Sequence, residues 1–233
     1  MELTPDTIVY WQAGWCRLNA TIVHTWLVMA LLGLTAILVR RDMARHQGAP
    51  RGWHNVLEAV VLYIRDEIHA VTDNRPSPWL LPLLGGLFLF VALSNALSPV
   101  PGFKPPTGSL STTAALALVV FLAVPVHGIS RTGLRGWLRG YLRPTPLMLP
   151  FNVIGELSRT LALAVRLFGN IMSGNMIAAI LLLIAPIFVP VLMQLLGLLT
   201  GMVHAYIFAV LALVYVAAAA ETDDQRHNKE QRT

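Results

Sequence analysis

The chain has 233 residues, 55% hydrophobic and only 12% charged, against roughly 25% charged in a typical soluble domain. That excludes a water-soluble fold around one core. Several apolar stretches reach the roughly 18 to 20 residues needed to cross a bilayer, so we expect one polytopic membrane domain over residues 1–233. The net charge of +5 does not argue for nucleic acid, because the arginines sit in short loops beside apolar segments, where they set topology.

Residues 1–19 carry acids at Glu2 and Asp6 and no basic leader, unlike a cleavable signal peptide. The first apolar run, Ala20 to Val39, ends at Arg40 and Arg41, and a polar turn from Asp42 to Gly52 follows. From Trp53 to Val71, apolar residues recur at Val56, Val60, Ile64, Ile68 and Val71, with Glu58, Arg65, Asp66 and Glu67 between them. This spacing predicts an amphipathic helix at the membrane surface or packed on its neighbours. Pro76 and Pro78 precede a second span, Trp79 to Leu97. The loop from Ser98 to Ser109 is so rich in Pro and Gly that it must be irregular.

Thr112 to Val126 forms a third span that can continue past Pro125, and arginines follow at 131, 135, 139 and 143. Trp137 and Tyr141 interleave with them, which suits an interfacial segment that is basic toward lipid headgroups. Two longer segments, Asn152 to Ala185 and Val191 to Ala220, are separated by Pro186 and Pro190, and a polar tail covers 221–233. The expected fold is therefore all-α, with about five transmembrane helices plus one interfacial amphipathic helix. Arginines cluster after spans one and three and in the tail, while the opposite side carries only Arg17 and Lys104. The positive-inside rule then puts the N-terminus outside and the C-terminus in the cytoplasm.

The single Cys16 rules out an intramolecular disulfide and a cysteine metal cluster. No zinc-protease, phosphate-loop or nucleophile-elbow motif occurs, so no cofactor, no metal and no catalytic centre of its own is expected.

The strongest single feature is Arg166, near the middle of an apolar segment. An arginine at the centre of a membrane helix costs about 2.5 to 3.5 kcal/mol on insertion scales, and its guanidinium cannot shed the charge. Asn152, Arg159, Arg166, Asn170 and Ser173 share one helix face, a polar stripe suited to protein or water. Glu156 is the only acid within an apolar span. At ten residues' separation it is too far along a straight helix to pair with Arg166, which favours a partner on another subunit. The next helix carries Gln194, Thr200, His204 and Tyr215, and Gly197 and Gly201 in a spacing that permits close helix approach.

The run Ala164-Val165-Arg166-Leu167-Phe168-Gly169-Asn170, followed by His204-Ala205-Tyr206-Ile207-Phe208-Ala209-Val210-Leu211 and Tyr215, resembles the a subunit of F-type ATP synthases. Pro150-Phe151-Asn152 and the Pro-rich loop before Thr112 fit as well. The likeness covers most of residues 20 to 220. It implies two long, steeply tilted helices against a rotating ring of c subunits, a b-subunit peripheral stalk and the rest of the synthase as partners, and the bacterial inner membrane as location. It also implies a mechanism: a ring carboxylate loses its ion on meeting Arg166, because a nearby cation favours the charged form. It is reloaded from a second half-channel, and Arg166 keeps the two apart. On this likeness Asn170 and His204 line the site near Arg166, and Glu156, Ser173 and Asn175 are channel-wall residues.

The chain departs from the pattern of many bacterial members, which have an acid at the Asn175 position, histidine at that of Gly197 and glutamine at that of His204. The spacing from Glu156 through Ser158-Arg159-Thr160 to Arg166 resembles a divergent branch, sometimes called N-type, in which sodium coupling occurs. The ion is thus H⁺ or Na⁺, a choice made by the ligands around the ring carboxylate. The alternative is an unrelated transporter binding an anionic substrate at Arg166. Such proteins usually carry an internal repeat with paired broken helices, and none is found here.

Overall fold

A computed structural model describes residues 5–7, 9–13, 16–45, 53–72, 78–100, 102–142, 147–184 and 188–230. After a 3-10 turn at Pro5–Thr7, strands β1 (Val9–Ala13) and β2 (Cys16–Asn19) pair antiparallel, with a register irregularity between Val9 and Trp11. Six helices follow: α1 (Ala20–Arg45), α2 (Trp53–Val71), α3 (Leu80–Ala96), α4 (Leu110–Leu142), α5 (Met148–Ile184) and α6 (Phe188–Glu230). The expected all-α membrane fold is present, with the small hairpin as an addition. Among the described residues, four helices carry apolar stretches long enough to cross a bilayer, 20–41, 110–130, 149–183 and 191–217, and α3 is a shorter apolar helix.

At about 1.5 Å per residue, the 17 residues of α3 extend some 26 Å, close to the roughly 30 Å hydrocarbon thickness. Pro82 occupies the first turn of α3, where a missing N–H costs no intrahelical bond. The 37 residues of α5 reach about 55 Å, so this helix must tilt or lie partly outside the hydrocarbon. The core joins Leu80, Leu84, Leu87 and Val91 of α3 with Val120 and Val124 of α4, Leu163 and Leu167 of α5, and Ala205, Phe208, Leu213 and Val216 of α6. α1 contributes little to it: Trp26 is 63% exposed.

α2 occupies the expected residues. Ile64 and Ile68, one turn apart, reach the core, with Val60 and Val71 packed beside them, while Glu58, Arg65 and Asp66 are exposed. A hydrogen bond from the Tyr63 hydroxyl to that of Tyr206, 3.1 Å, ties α2 to α6.

Two boundaries differ from the sequence expectation. α4 does not stop at Val126 but runs through Pro125 to Leu142, with a break at Gly133, whose φ of 73° and ψ of 164° are non-helical. Only glycine adopts that conformation readily. The break folds the arginine-bearing segment back, so that a Cβ at Gly128 would collide with the Trp137 ring. Nine residues of straight helix would hold these two about 13 Å apart. Helix α6 likewise continues through the polar tail to Glu230, so only 231–233 of that tail lie outside the described residues.

Candidate functional site

Arg166 stands midway along α5, eighteen residues from Met148 and eighteen from Ile184. The inward side of this turn is formed by Leu163, Ala164 and Leu167, all buried. They fix the rotation of α5 and leave Arg166 exposed beside Leu161 and Val165, which are 56% and 59% exposed. The expected polar stripe is therefore directed away from this chain's own core: Arg159, Arg166 and Ser173 are exposed, and Asn152 and Asn170 half-buried. Among the described residues no carboxylate pairs with Arg166.

Arg166 and His204 share a niche closed by Leu163, Leu167, Ile207 and Phe208. Its volume, about 10 Å³, is at the threshold for one water molecule. The His204 Nδ1 lies 3.0 Å from the carbonyl oxygen of Thr200. A carbonyl only accepts, so Nδ1 carries the hydrogen and Nε2 is the ring nitrogen not held by the helix. The Thr200 hydroxyl in turn donates to the Leu196 carbonyl, 2.7 Å away.

One turn beyond Arg166, a cleft of about 540 Å³ opens between α5, α6 and the loop that follows α3; its surface is mostly apolar, from Ile171, Ile177, Leu182, Met193 and Leu196, with amide and hydroxyl side chains set among them. Asn170, Ser173 and Asn175 come from α5, and Gln194, Gly197 and Thr200 from α6. Asn95, Ser98 and Pro105 complete the lining from the third side. Asn170 is one turn from Arg166, and Thr200 one turn from His204, so the cleft ends beside the niche.

Five of the six sequence-derived site residues thus fall in two adjoining spaces: Arg166 and His204 in the niche, Asn170, Ser173 and Asn175 in the cleft. Glu156 is separate. It is half-buried, about 15 Å along α5 from Arg166 in the opposite direction, and its backbone carbonyl accepts from the Thr160 hydroxyl at 3.0 Å.

The glycine pair does not act as a unit either. Gly197 has open space around it, whereas a Cβ at Gly201 would stand 2.7 Å from Asn95 Cβ. Only Gly201 permits a close approach, and what approaches is a polar side chain. The Asn95 amide, 4% exposed, donates to the Gly201 carbonyl at 3.0 Å and accepts from the Thr107 hydroxyl at 3.3 Å. Asn95 was not among the expected site residues. Its signal in the sequence is a lone amide near the end of an otherwise apolar helix, which has to find partners when buried.

Comparison with known proteins gives a consistent result. Residues 22–217 match the family described as ATP synthase A chain. ATP synthase subunit a 2 of Acaryochloris marina is 54% identical over 228 residues, covering 98% of this chain and 96% of the relative. ATP synthase subunit a 1 of Chlorobium luteolum is 57% identical over 219 residues, 94% of this chain and 97% of the relative. ATP synthase subunit a of Nitrosospira multiformis is 50% identical over 228 residues, 98% and 89% of the two chains.

Proposed function

The chain belongs to the ATP synthase A chain family, and from that premise we propose that it is the ion-translocating stator subunit of an F-type synthase, with Arg166 separating two half-channels. The observation that carries this reading is the cleft, studded with amide and hydroxyl side chains, that ends beside the niche shared by exposed Arg166 and His204. A guanidinium at the midpoint of α5, flanked by exposed Leu161 and Val165, suits a partner surface that is apolar but brings a carboxylate to that depth. A ring of c subunits has this chemistry. The carboxylate arrives carrying H⁺ or Na⁺, and the guanidinium favours its ionised form, so the ion leaves. Arg166 cannot be neutralised to let ions pass along this chain alone.

With the N-terminus outside and the arginine clusters in the cytoplasm of a bacterial inner membrane, the end of α5 and the start of α6 face outward. The cleft lined by Asn170, Ser173, Asn175 and Gln194 is then the outer half-channel. Glu156, on the other side of Arg166, belongs to the inner one. The subunit couples ion flow to ring rotation and is not itself catalytic; a b-subunit stalk holds it against the ring.

A test uses the assembled complex in a Cys16→Ser background. Ser173→Cys and Gln194→Cys should react with a membrane-impermeant thiol reagent applied to the outer face, and the reaction should block ATP-driven pumping. Reaction at these positions only from the cytoplasmic face, or without effect on pumping, contradicts the assignment.

A further inference from the structure

The loop after α3, which contributes Ser98, Pro99 and Pro105 to the cleft wall, is held by contacts that the translocation scheme does not use. A 3-10 turn at Pro106–Gly108 seats this loop against α5. A Cβ at Gly108 would stand 3.2 Å from Ile171 Cγ2 and 4.0 Å from Asn175 Nδ2, so a larger residue would press on the Ile171 side chain. Among the described residues, the backbone N–H bonds here are local, Gly108 N–H to the Pro105 carbonyl at 3.0 Å and Ser109 N–H to the Pro106 carbonyl at 3.1 Å. Consecutive prolines at 105 and 106 remove two backbone donors. Side chains must therefore anchor it.

The anchor comes from the far end of the sequence. Asp6, in the N-terminal 3-10 turn, accepts from the Ser109 hydroxyl at Oδ2 and from the Thr21 hydroxyl at Oδ1, both at 2.6 Å. These are the short O–H···O⁻ distances of charge-assisted bonds, which are roughly twice as strong as neutral ones. The Ser109 hydrogen is committed to Asp6, so Ser111, 2.6 Å from Ser109, must be the donor in that pair. Ser109 and Thr107 are fully buried and Thr21 nearly so. One carboxylate thus ties three segments: the N-terminal turn, the first turn of α1 and the loop. On the other side of the loop, Thr107 and Asn95 carry the connection to the Gly201 carbonyl, one turn from His204.

Resting on the half-channel reading above, we propose that Asp6 is a positioning residue for ion translocation, clasping Ser109 and Thr21 so that the Pro106–Gly108 turn stays seated beside Ile171 and Asn175 and holds Pro105, which lines the cleft, in place. Asp6 does not line the cleft and exchanges no ion in this scheme. Its role is to keep the cleft's width and the approach to Asn175 constant while the ring turns.

The experiment uses the whole synthase in native membranes in a Cys16→Ser background, with Asn175→Cys added as reporter for labelling only and pumping read in the same variants with Asn175 retained. Asp6→Ala should raise the rate of thiol labelling at position 175 by about tenfold, the size expected for losing a charge-assisted hydrogen bond, and lower ATP-driven pumping severalfold with the ring and stalk still assembled. Ser109→Ala, which keeps the carboxylate but removes its donor, should act in the same direction and covers the case where Asp6→Ala does not insert. The decisive variant is the exchange Asp6→Ser with Ser109→Asp, which restores a hydroxyl facing a carboxylate and should bring labelling back to within about twofold of the reporter background if the bond itself is what matters. Unchanged labelling in both Asp6→Ala and Ser109→Ala, or an exchange no better than Asp6→Ser alone, overturns the clasp. Altered labelling with undiminished pumping overturns the positioning role and leaves the clasp as a structural contact; failure of the half-channel reading is distinguished by Ser173→Cys, whose labelling would then not block pumping.

Discussion

Replacing His204 by glutamine and by leucine separates two roles for the residue nearest Arg166. Its Nδ1–H is bound to the Thr200 carbonyl at 3.0 Å, leaving Nε2 as the acceptor a neutral ring can present to a niche of about 10 Å³ shared with the guanidinium. A hydrogen bond to a charged group contributes about 1.5 to 3 kcal/mol. If His204, directly or through one water, steadies the guanidinium, His204→Leu should slow ATP-driven pumping by about 10- to 150-fold. Glutamine has both an acceptor and a donor and is the residue of the commoner family pattern. At a cost near 1 kcal/mol for an imperfect substitute, His204→Gln should retain pumping within about fivefold. Inverted membrane vesicles report this through a quenched pH dye or radiosodium uptake, with ring assembly checked by immunoblot. A histidine that passes protons by titrating would be lost equally in both variants. Equal loss therefore refutes the positioning role, and full activity in both shows His204 to be packing.

Gly201→Ala should reduce the amount of assembled complex, since its Cβ would lie 2.7 Å from Asn95 Cβ and overpacking typically costs about 1 to 3 kcal/mol. Gly197→Ala, with nothing within 4 Å, should assemble normally, and quantitative blotting of membranes compares the two. Tyr63→Phe removes one exposed hydrogen bond to Tyr206; pumping should be unchanged and the melting temperature of the detergent-solubilised complex little altered, so a large drop would mean that this bond holds α2 in place. For orientation, Val100→Cys should be labelled by an impermeant reagent from outside only, and Arg41→Cys and Arg135→Cys from the cytoplasm only. Reversed labelling would invert the topology.

The helices were legible because each announces itself locally. Runs such as 20–39 and 191–220 are predominantly apolar and contain no Asp, Glu, Lys or Arg, and the four-residue recurrence of Val60, Ile64 and Ile68 marks one face of α2, which the core then buries. Arg166 was legible for the opposite reason, as a fixed charge where apolar residues surround it. The polar stripe on α5 was legible too, but not its surroundings, because rotation about the helix axis is set by Leu163 and Leu167 packing on other helices. The third wall of the cleft could not be read at all. Asn95 meets Gly201 across 106 residues and Asp6 meets Ser109 across 103, and no local pattern encodes such pairs. The break at Gly133 was hidden because a glycine among arginines in an interfacial segment has the same composition whether the helix continues or folds back. Glu156, Ser173 and Asn175 are channel-wall residues on the family likeness; seventeen residues of helix put Glu156 and Ser173 about 25 Å apart, on opposite sides of Arg166.

The assignment of Arg166 as the barrier between half-channels is tested by Arg166→Ala in the complete synthase, reading ATP-driven pumping together with membrane insertion and ring assembly. The side chain is exposed on α5, so its removal leaves the packing of Leu163 and Leu167 untouched and the subunit should insert and assemble as before. Pumping should be abolished, and Arg166→Lys should be severely impaired, because a compact ammonium does not reproduce the planar, permanently charged guanidinium. An Arg166→Ala synthase that assembles and pumps at the wild-type rate would contradict the assignment.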